Sequence, residues 1–302
     1  MRIFKQTSID FVMHYRTFVT ISVIYITLAV IIFFLRGLNL GLDFTGGTLL
    51  QVKFEKPVTT ANIRQALTTI NQQDAVIQKS SNVDEFIIRA PMTFATDSAA
   101  SVITQALQTI PENSFETIRA EQVGPKIGKE LRSSAVKAVL ATLVVILVYI
   151  SIRFKFEFAL GAVIALIHDV LFTLGIFSIF RLEFSLSTIA AFLTIVGYSL
   201  NDTIVVFDRV RENMKTRRYN TIEELFNVSI NETLSRTIIT SLTTLIVVLV
   251  LVFVHGEVKN FSIALIVGII VGTYSSLYIA SPVVLIWHKR LASQKQLMQT
   301  SR

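Results

Sequence analysis

The stretch from Phe184 to Asn213 reads FSLSTIAAFLTIVGYSLNDTIVVFDRVREN, and it decides the fold. Most of it is apolar enough to cross a membrane as a helix, and it ends in a cluster of basic residues. Its apolar part carries one carboxylate, Asp202, and a charge inside hydrocarbon costs about 2.5–3.5 kcal/mol. The neighbours of that carboxylate are small or polar: Gly197, Ser199, Asn201 and Thr203. The pattern predicts a transmembrane helix that packs against protein or lines a polar crevice, with Asp202 as a candidate functional residue.

The composition places the whole chain in the same class. Hydrophobic residues make up 52% of the 302 positions and charged residues only 16%, whereas soluble domains carry about 25% charge. The net charge of +7 could indicate nucleic-acid binding, but the basic residues lie in short segments between apolar runs, where they report membrane orientation. We therefore expect a polytopic protein of the lipid bilayer with no nucleic-acid partner. The absence of cysteine excludes disulfides, thiolate metal sites and a cysteine nucleophile.

Six apolar runs are long enough to span about 30 Å of hydrocarbon. The first follows a short basic segment and lacks a small-residue cleavage site, which indicates a retained signal-anchor helix. The predicted spans are residues 17–36, 133–152, 158–180, 184–208, 232–255 and 261–287.

The basic residues of the short connecting segments lie overwhelmingly on one side of these spans. The other side holds two, Arg181 and Lys259. The first side holds fifteen: Arg2, Lys5, Arg16, Arg153, Lys155, Arg209, Arg211, Lys215, Arg217, Arg218, Arg236, Lys289, Arg290, Lys295 and Arg302. The positive-inside rule predicts a cytoplasmic N-terminus over residues 1–16, a cytoplasmic tail over 288–302, and a periplasmic region over 37–132.

A cytoplasmic segment of residues 209–231 is predicted between the fourth and fifth spans. Its apolar residues recur at helical spacing: Ile222, Leu225, Phe226 and Ile230. This amphipathic loop fits an interfacial helix along the membrane surface, or equally a solvated connecting helix.

The hydrophilic region of residues 37–132 has the pattern of a small α+β domain. Alternation of Leu50, Val52 and Phe54 predicts a strand, and Thr59 or Thr60 can cap a helix over about 61–71. Strands are expected over 75–79, 85–90 and 115–121, and Asp97 is expected to cap a second helix to about residue 110. This βαββαβ order predicts a ferredoxin-like domain between spans 1 and 2.

Asp202 lies about 9 Å inside the cytoplasmic end of its predicted helix. It could be a structural carboxylate that bonds neighbouring helices, or a protonatable group in an ion pathway. Burial favours the neutral form of a carboxyl group and a nearby cation favours the charged form, so moving the cation can switch such a group.

The candidate cation is Arg236, at the start of the fifth span. The alternative for Arg236 is a basic residue that snorkels to the interface and only orients the helix. Hydroxyl residues around it favour a hydrated crevice. They are Thr233, Ser235, Thr237, Thr240, Ser241, Thr243 and Thr244. We therefore take Asp202 and Arg236 as candidates for an ion pathway, with Asn201, Thr240 and Asp169 as further candidates.

His168 and Asp169 lie about 16 Å into the third span. Adjacent helical residues point to different sides, so the two side chains are not expected to face each other. Asp169 could bond a neighbouring helix while His168 packs neutral, or Asp169 could act in a proton relay. No second histidine near in sequence indicates a metal site.

The glycines of the later spans are predicted to pack helices together. Gly268 and Gly272 form a GxxxG pattern, and Gly197 is one of the small residues beside Asp202. By contrast, Gly46 and Gly47 are not followed by the Lys-Ser/Thr signature of a phosphate-binding loop, so nucleotide binding is not expected.

Several motifs together resemble the SecD/SecF family of the RND superfamily, and within it the SecF type of subunit. The resemblance covers essentially the whole chain. Its motifs are LDFTGG (42–47), VGPKIG (123–128), IHDV (167–170), VGYSLNDTIVVFDRVREN (196–213) and TLSRTIITS (233–241).

The resemblance implies half of a pseudo-symmetric twelve-span RND bundle in the bacterial inner membrane. The partners implied are SecD, the SecYEG channel, YajC, the SecA ATPase and unfolded preprotein clients. The implied function is to use the proton-motive force to complete preprotein export after SecA-driven insertion; it is not enzymatic. Asp202 and Arg236 match the Asp and Arg of the family's proton path. No cofactor is implied beyond the proton gradient, and a carboxylate could also serve Na⁺.

Two other classes of function remain open on the residues alone. An RND-type exporter of small molecules would need a roomy outer pocket, and only one small outer region is available here. A structural scaffold of the translocon would use the polar residues merely to pack helices and would tolerate neutral substitutions at Asp202 and Arg236.

Overall fold

The structure is a computed structural model that describes residues 8–79, 84–91, 99–111, 113–216, 219–254 and 256–300. The chain divides into a helical unit, made of the residues up to Asn39 and from Ala138 onward, and a smaller α/β unit, Leu40–Lys137. In chain order the elements are α1 (Phe11–Arg36), β1 (Asn39–Leu40), α2 (Leu42–Thr45), β2 (Gly47–Phe54), α3 (Thr60–Thr68), β3 (Val76–Lys79), β4 (Glu85–Ala90), α4 (Ala99–Leu107), β5 (Phe115–Val123), α5 (Pro125–Arg153), α6 (Phe156–Ile179), β6 (Glu183–Phe184), α7 (Leu186–Thr216), α8 (Ile222–Leu251), α9 (Glu257–Ser275), a π-helical turn (Ser276–Ala280) and α10 (Ser281–Thr300).

Six helices in the described part of the chain are long and apolar enough to cross a membrane. They are α1, α5, α6, α7, α8 and the continuous run from α9 into α10, Glu257–Arg290. The predicted class, a polytopic helical membrane protein with six spans, is confirmed. Within the helical unit, α6, α7 and α9 form the buried centre, whereas α1, α5 and α8 expose most of their apolar side chains.

The segment between the fourth and fifth spans differs from the predicted amphipathic loop over 209–231. Helix α7 continues to Thr216, and α8 runs without a break from Ile222 through the fifth span. The apolar face of the predicted interfacial helix is buried in the protein core, with Leu225 6%, Phe226 1% and Ile230 1% exposed. These side chains pack with Val206 and Val210 of α7. Packing against protein, not a membrane surface, therefore explains the amphipathic pattern.

The sixth span widens into the π-helical turn Ser276–Ala280 between α9 and α10. Pro282 follows it directly. Proline lacks a backbone N–H, and its ring clashes with the carbonyl four residues earlier, so the preceding turn cannot stay regular. The hydroxyl of Ser281 donates to the carbonyl of Ser276 at 2.9 Å, which supplies the turn with a bond that the backbone does not.

The α/β unit has the predicted ferredoxin-like order βαββαβ. Its antiparallel sheet has the strand order β3-β4-β2-β5, with β2 paired to both β4 and β5. Thr48 lies opposite Ala90 on one side and Gln122 on the other. The strands and helices bury one apolar core: Leu50, Val52, Phe54, Ile63, Leu67, Phe86, Ile88, Ile103 and Leu107. Asp97, the predicted cap of the second helix, lies outside the described residues.

The glycine-rich start of this unit requires glycine at Gly47. Its φ of 127° lies in the left-handed region that favours glycine. A Cβ there would also lie 2.6 Å from the carbonyl oxygen of Ala90 in β4. Gly47 therefore lets β2 and β4 approach each other at the start of the sheet.

Thr59 caps α3, and its loss should weaken this helix. The hydroxyl of Thr59 accepts a hydrogen bond from the backbone N–H of Asn62 at 3.3 Å, and the Asn62 side chain accepts one from the N–H of Thr59 at 3.2 Å. Thr59→Ala removes this capping box and is expected to destabilise α3 by about 1 kcal/mol. Amide hydrogen exchange of α3 in the full-length protein measures the effect. Thr60→Ala, one position into the helix, is the matched control and should leave exchange unchanged.

Candidate functional site

Asp202 is buried where α7, α8 and α9 meet. Its side chain is 2% exposed. The carboxylate oxygen Oδ2 accepts from Ser241 of α8 and from Thr273 of α9, each at 3.5 Å. The two hydroxyls lie 2.7 Å from each other. Bonds of 3.5 Å are long for O–H···O contacts, so these hydroxyls hold the carboxylate only weakly.

Arg236 lines a crevice of about 570 Å³ on the basic end of α7 and α8. The crevice is lined by Asn201, Ile204, Val205, Asp208, Arg209, Glu212, Glu232, Thr233 and Arg236. Arg236 and Asp202 make no ion pair within 4.0 Å, in the part of the chain that the structure describes. Asn201, the residue before Asp202, lines the same crevice as Arg236, so the cation and the buried acid lie on neighbouring helices around it.

The other cations around the crevice are neutralised by nearby carboxylates. Arg209 donates to Glu232 at 2.7 Å and to Glu212 at 2.6 Å. Asp208 pairs with Arg153 at 2.9 Å and with Arg211 at 3.4 Å. Among the residues described, the guanidinium of Arg236 has no such partner. Within the described part of the chain, Arg236 is therefore the exposed crevice cation that has no ion-pair partner.

A row of hydroxyls on α8 leads from the crevice towards Asp202. Thr233, Thr237 and Ser241 recur every four residues, so they lie on one face of the helix, each about 6 Å from the next. Thr233 lines the crevice, and Ser241 bonds Asp202. Between them, Thr237 is fully buried, and its hydroxyl finds no hydrogen-bond partner within the described structure.

The other predicted pathway residues are placed differently. Asn201 is exposed and lines the crevice. The hydroxyl of Thr240 donates to the carbonyl of Arg236 in its own helix at 2.9 Å, as threonines in helices often do. The structure thus brings Ser241 and Thr273, not Thr240, to Asp202.

His168 and Asp169 form a second buried polar cluster, in α6. They are 4% and 1% exposed. Nδ1 of His168 lies 2.9 Å from Oδ1 of Asp169. The expectation that the two adjacent side chains do not face each other is therefore wrong, because the imidazole ring is long enough to turn back to its neighbour. Asp169 also bonds adjacent helices: Oδ2 accepts from Ser199 of α7 at 2.5 Å and Ser275 of α9 at 2.8 Å.

The cluster extends from His168 to α1. Nε2 of His168 lies 3.1 Å from the hydroxyl of Ser22, which lies 2.8 Å from the hydroxyl of Tyr274. Tyr274 in turn donates to the carbonyl of Phe18 at 2.8 Å. Four helices, α1, α6, α7 and α9, therefore meet in one hydrogen-bonded chain.

Two of the predicted packing glycines lie where α9 approaches α7. A Cβ at Gly268 would lie 2.3 Å from Cγ1 of Ile195, and one at Gly272 would lie 2.9 Å from Cβ of Ser199. The packing role predicted for Gly197 is not found within this chain, since a Cβ there would meet no atom of the described structure within 4 Å.

Sequence reasoning missed Ser22, Tyr274 and the role of Thr273. Thr273 follows the GxxxG pattern of Gly268 and Gly272, which by itself indicates only helix packing. Its position directly after Gly272, at the closest approach of α9 to α7, is the signal that could have assigned it to Asp202. Ser22 and Tyr274 gave no such signal, because isolated hydroxyls in apolar runs are common.

Comparisons with known proteins agree with the motifs. The family model described as "Protein export membrane protein SecD/SecF, C-terminal" matches residues 102–290, and the "SecD/SecF GG Motif" matches residues 31–58. Protein translocase subunit SecF of Calditerrivibrio nitroreducens is 45% identical over 93% of this chain and 94% of its own length. The SecF subunit of Rhodothermus marinus is 44% identical over 98% of this chain and 99% of its own length.

Solved structures are similar over nearly the whole chain. A crystal structure of SecDF from Thermus thermophilus, described as a translocon-associated membrane protein, has a TM-score of 0.84 and 40% identity, covering 94% of this chain. A crystal structure of SecDF in a super-membrane-facing form has a TM-score of 0.72 and 39% identity, covering 97% of this chain. The chain spans only 39% and 40% of these SecDF chains.

Proposed function

Because the chain belongs to the SecD/SecF family of protein-export membrane proteins, we propose that it is the SecF-type subunit of a proton-driven export complex. In this proposal it pairs with a SecD-type subunit. That subunit corresponds to the part of the SecDF chains that this chain does not cover. The complex uses the proton-motive force to complete preprotein export through a SecYEG-type channel after SecA-driven insertion, with YajC as an associated small protein.

The observation that carries the proposal is the weakly held Asp202 beside the unpaired Arg236. A carboxylate inside hydrocarbon costs about 2.5–3.5 kcal/mol, and such residues usually serve ion pathways. Among the described residues, the groups that offset that cost directly are two hydroxyls at 3.5 Å. A purely structural carboxylate would be held as Asp169 is, by bonds of 2.5–2.9 Å. Asp202 can therefore gain and lose a proton without the loss of a strong bond.

The route from the crevice to Asp202 follows the hydroxyl face of α8. Asn201 and Thr233 line its mouth, and Thr237 offers a buried hydroxyl that a transient water can meet. Arg236 at the mouth attracts the charged form of Asp202 and repels an arriving cation. Proton entry thus requires Arg236 to move, which ties the ion step to a change in helix position.

Each proton that crosses the membrane supplies about 2.3 kcal/mol per 100 mV. In our proposal, protonation of Asp202 cancels its attraction to Arg236, the two halves of the complex rock, and the α/β unit moves against the emerging polypeptide. The excess of basic residues on one side supports an inner-membrane topology with both ends cytoplasmic and residues 37–132 periplasmic. Na⁺ could replace the proton in the same geometry.

The test is export of a model preprotein into inverted membrane vesicles that lack the native subunit. The part of export that needs the proton-motive force is measured with and without an uncoupler. Asp202→Asn, which keeps the shape of the side chain, is expected to remove this force-dependent part while the protein still co-purifies with its SecD-type partner.

Asp10→Asn is the matched control. Asp10 caps α1 by accepting from the backbone N–H of Met13 at 2.9 Å, and asparagine caps helices equally well. This variant should export like the wild type. If Asp202→Asn assembles and still responds fully to the force, the proposed pathway is rejected.

A further inference from the structure

We infer that His168 and Asp169 share a single proton and form a net-neutral latch that positions Asp202. The latch itself follows from hydrogen-bond directions. Only its effect on export rests on the proposed function. In this role Asp169 is a positioning residue and does not carry protons along the pathway.

The first step fixes the proton on Nε2 of His168. The carbonyl of Phe18 can only accept, so the single hydroxyl proton of Tyr274 is committed to it. Ser22 must then donate to Tyr274. Its oxygen is left to accept from Nε2 of His168 at 3.1 Å, and that nitrogen therefore carries a hydrogen.

The second step counts the protons on the other side of the ring. Ser199 and Ser275 donate to Oδ2 of Asp169, and Ser275 lies closer to Oδ2 (2.8 Å) than to the carbonyl of Gly272 (3.2 Å). Both lone pairs of Oδ2 are then occupied, so this oxygen carries no proton. One proton remains, between Nδ1 of His168 and Oδ1 of Asp169 at 2.9 Å. Whether it lies nearer nitrogen or oxygen, the pair has no net charge. A net charge at these two positions, 4% and 1% exposed, would be strongly disfavoured.

The third step shows that His168 and Asp169 do not pass protons along the chain. The hydroxyl protons of Ser22 and Tyr274 are each committed in one direction, and the chain ends on the carbonyl of Phe18, which has no proton to pass on. Asp202 differs, because a face of hydroxyls connects it to the crevice.

The latch and the Asp202 site are built on the same two helices. On α7, Ser199 bonds Asp169 and stands three residues before Asp202. On α9, Ser275 bonds Asp169 and stands two residues after Thr273, which bonds Asp202. The latch therefore fixes how α7 and α9 are aligned, and that alignment presents Thr273 to Asp202.

If His168 and Asp169 share one proton, substitutions at the two positions should have different effects on stability. Asp169→Asn can present its amide oxygen to Ser199 and Ser275 and its amide N–H to Nδ1 of a neutral His168. The net charge stays zero and the bonds are kept. We expect this variant to assemble, to melt within about 2 °C of the wild-type complex, and to retain force-dependent export within about twofold.

His168→Leu should behave in the opposite way. It removes the imidazole that shares the proton, so Asp169 stays buried without a hydrogen-bond partner at Oδ1. We expect the Tm of the purified complex to fall by about 10 °C or the complex to fail to accumulate. Adding Asp169→Asn to His168→Leu removes the uncompensated carboxylate and should recover at least half of that loss.

Nitrogen NMR of labelled histidine provides a readout that simple packing would not move. Nε2 of His168 should carry a hydrogen in the wild type and in Asp169→Asn alike. An unprotonated Nε2 overturns the inference, as does equal stability of His168→Leu with and without Asp169→Asn. Loss of force-dependent export in an assembled Asp169→Asn complex overturns it too. If Asp202→Asn leaves export intact, the proposed function fails, while melting and NMR still decide the latch.

Discussion

Replacement of Arg236 with methionine is expected to remove most of the force-dependent export while the complex still assembles. Arg236 is an exposed cation of the crevice that Asn201, beside Asp202, also lines, and it forms no ion pair within the described chain. Methionine keeps much of the length of the side chain and removes the charge. Coupling between linked sites usually amounts to about 5–150-fold, so we expect a loss of at least about tenfold. Uncoupler-sensitive export in vesicles measures it.

Lys289→Met is the matched control for charge. Lys289 forms an ion pair with Glu223 and does not line the crevice. Exposed pairs of this kind contribute about 0–1 kcal/mol, so this variant should keep the force response. Equal behaviour of the two variants would show that Arg236 contributes only net charge, and a normal Arg236→Met complex would favour a scaffold.

Gly268→Ala is expected to have the largest effect on stability. The added Cβ would lie 2.3–2.7 Å from three atoms of Ile195, which is 1% exposed and cannot move aside. Overpacking of this kind costs about 1–3 kcal/mol. Thermal unfolding of the purified subunit should show a clear fall in Tm, because α9 is forced away from α7.

Gly197→Ala, in contrast, should raise the Tm of the subunit. A Cβ there meets no described atom within 4 Å, and alanine in a helix is favoured over glycine by about 1 kcal/mol.

A second substitution tests the cause of the Gly268→Ala effect. In the background of Ile195→Ala, which removes the clashing atoms, Gly268→Ala should cause no further fall in Tm. If Gly268→Ala is equally harmful there, the clash with Ile195 is not the cause.

The sequence predicted those features that depend on local pattern. Length and hydropathy predict the six spans, and the four strand patterns with the two helices between them predict the ferredoxin-like order. Asp202 and Arg236 could be identified because charge inside an apolar run is costly wherever the chain folds. The GxxxG pattern predicted Gly268 and Gly272 as helix-packing positions, and the structure places them at the contact with α7.

The remaining features depend on contacts between distant parts of the chain. The amphipathic pattern of Leu225 and Phe226 fits a membrane surface and a protein core equally well, and only the packing of α8 on α7 decides between them. The partners of Asp202 come from two other helices. Helical geometry alone could not reveal the bond between His168 and Asp169, because it depends on how the imidazole ring is rotated.

Because α8 is one unbroken helix, a tilt near Asp202 displaces its far end as a rigid body. Asn231 lies ten residues before Ser241, which is about 15 Å of stiff helix. The first turn of α8 lies about 27 Å from Ser241. At Asn231 the side chain both donates to the carbonyl of Ile9 at 2.8 Å and accepts from its N–H at 3.0 Å. A tilt of about 5° around Ser241 displaces these atoms by more than about 1 Å, further than a hydrogen bond can stretch. Any rocking that begins at the buried acid must therefore carry the start of the first helix with it.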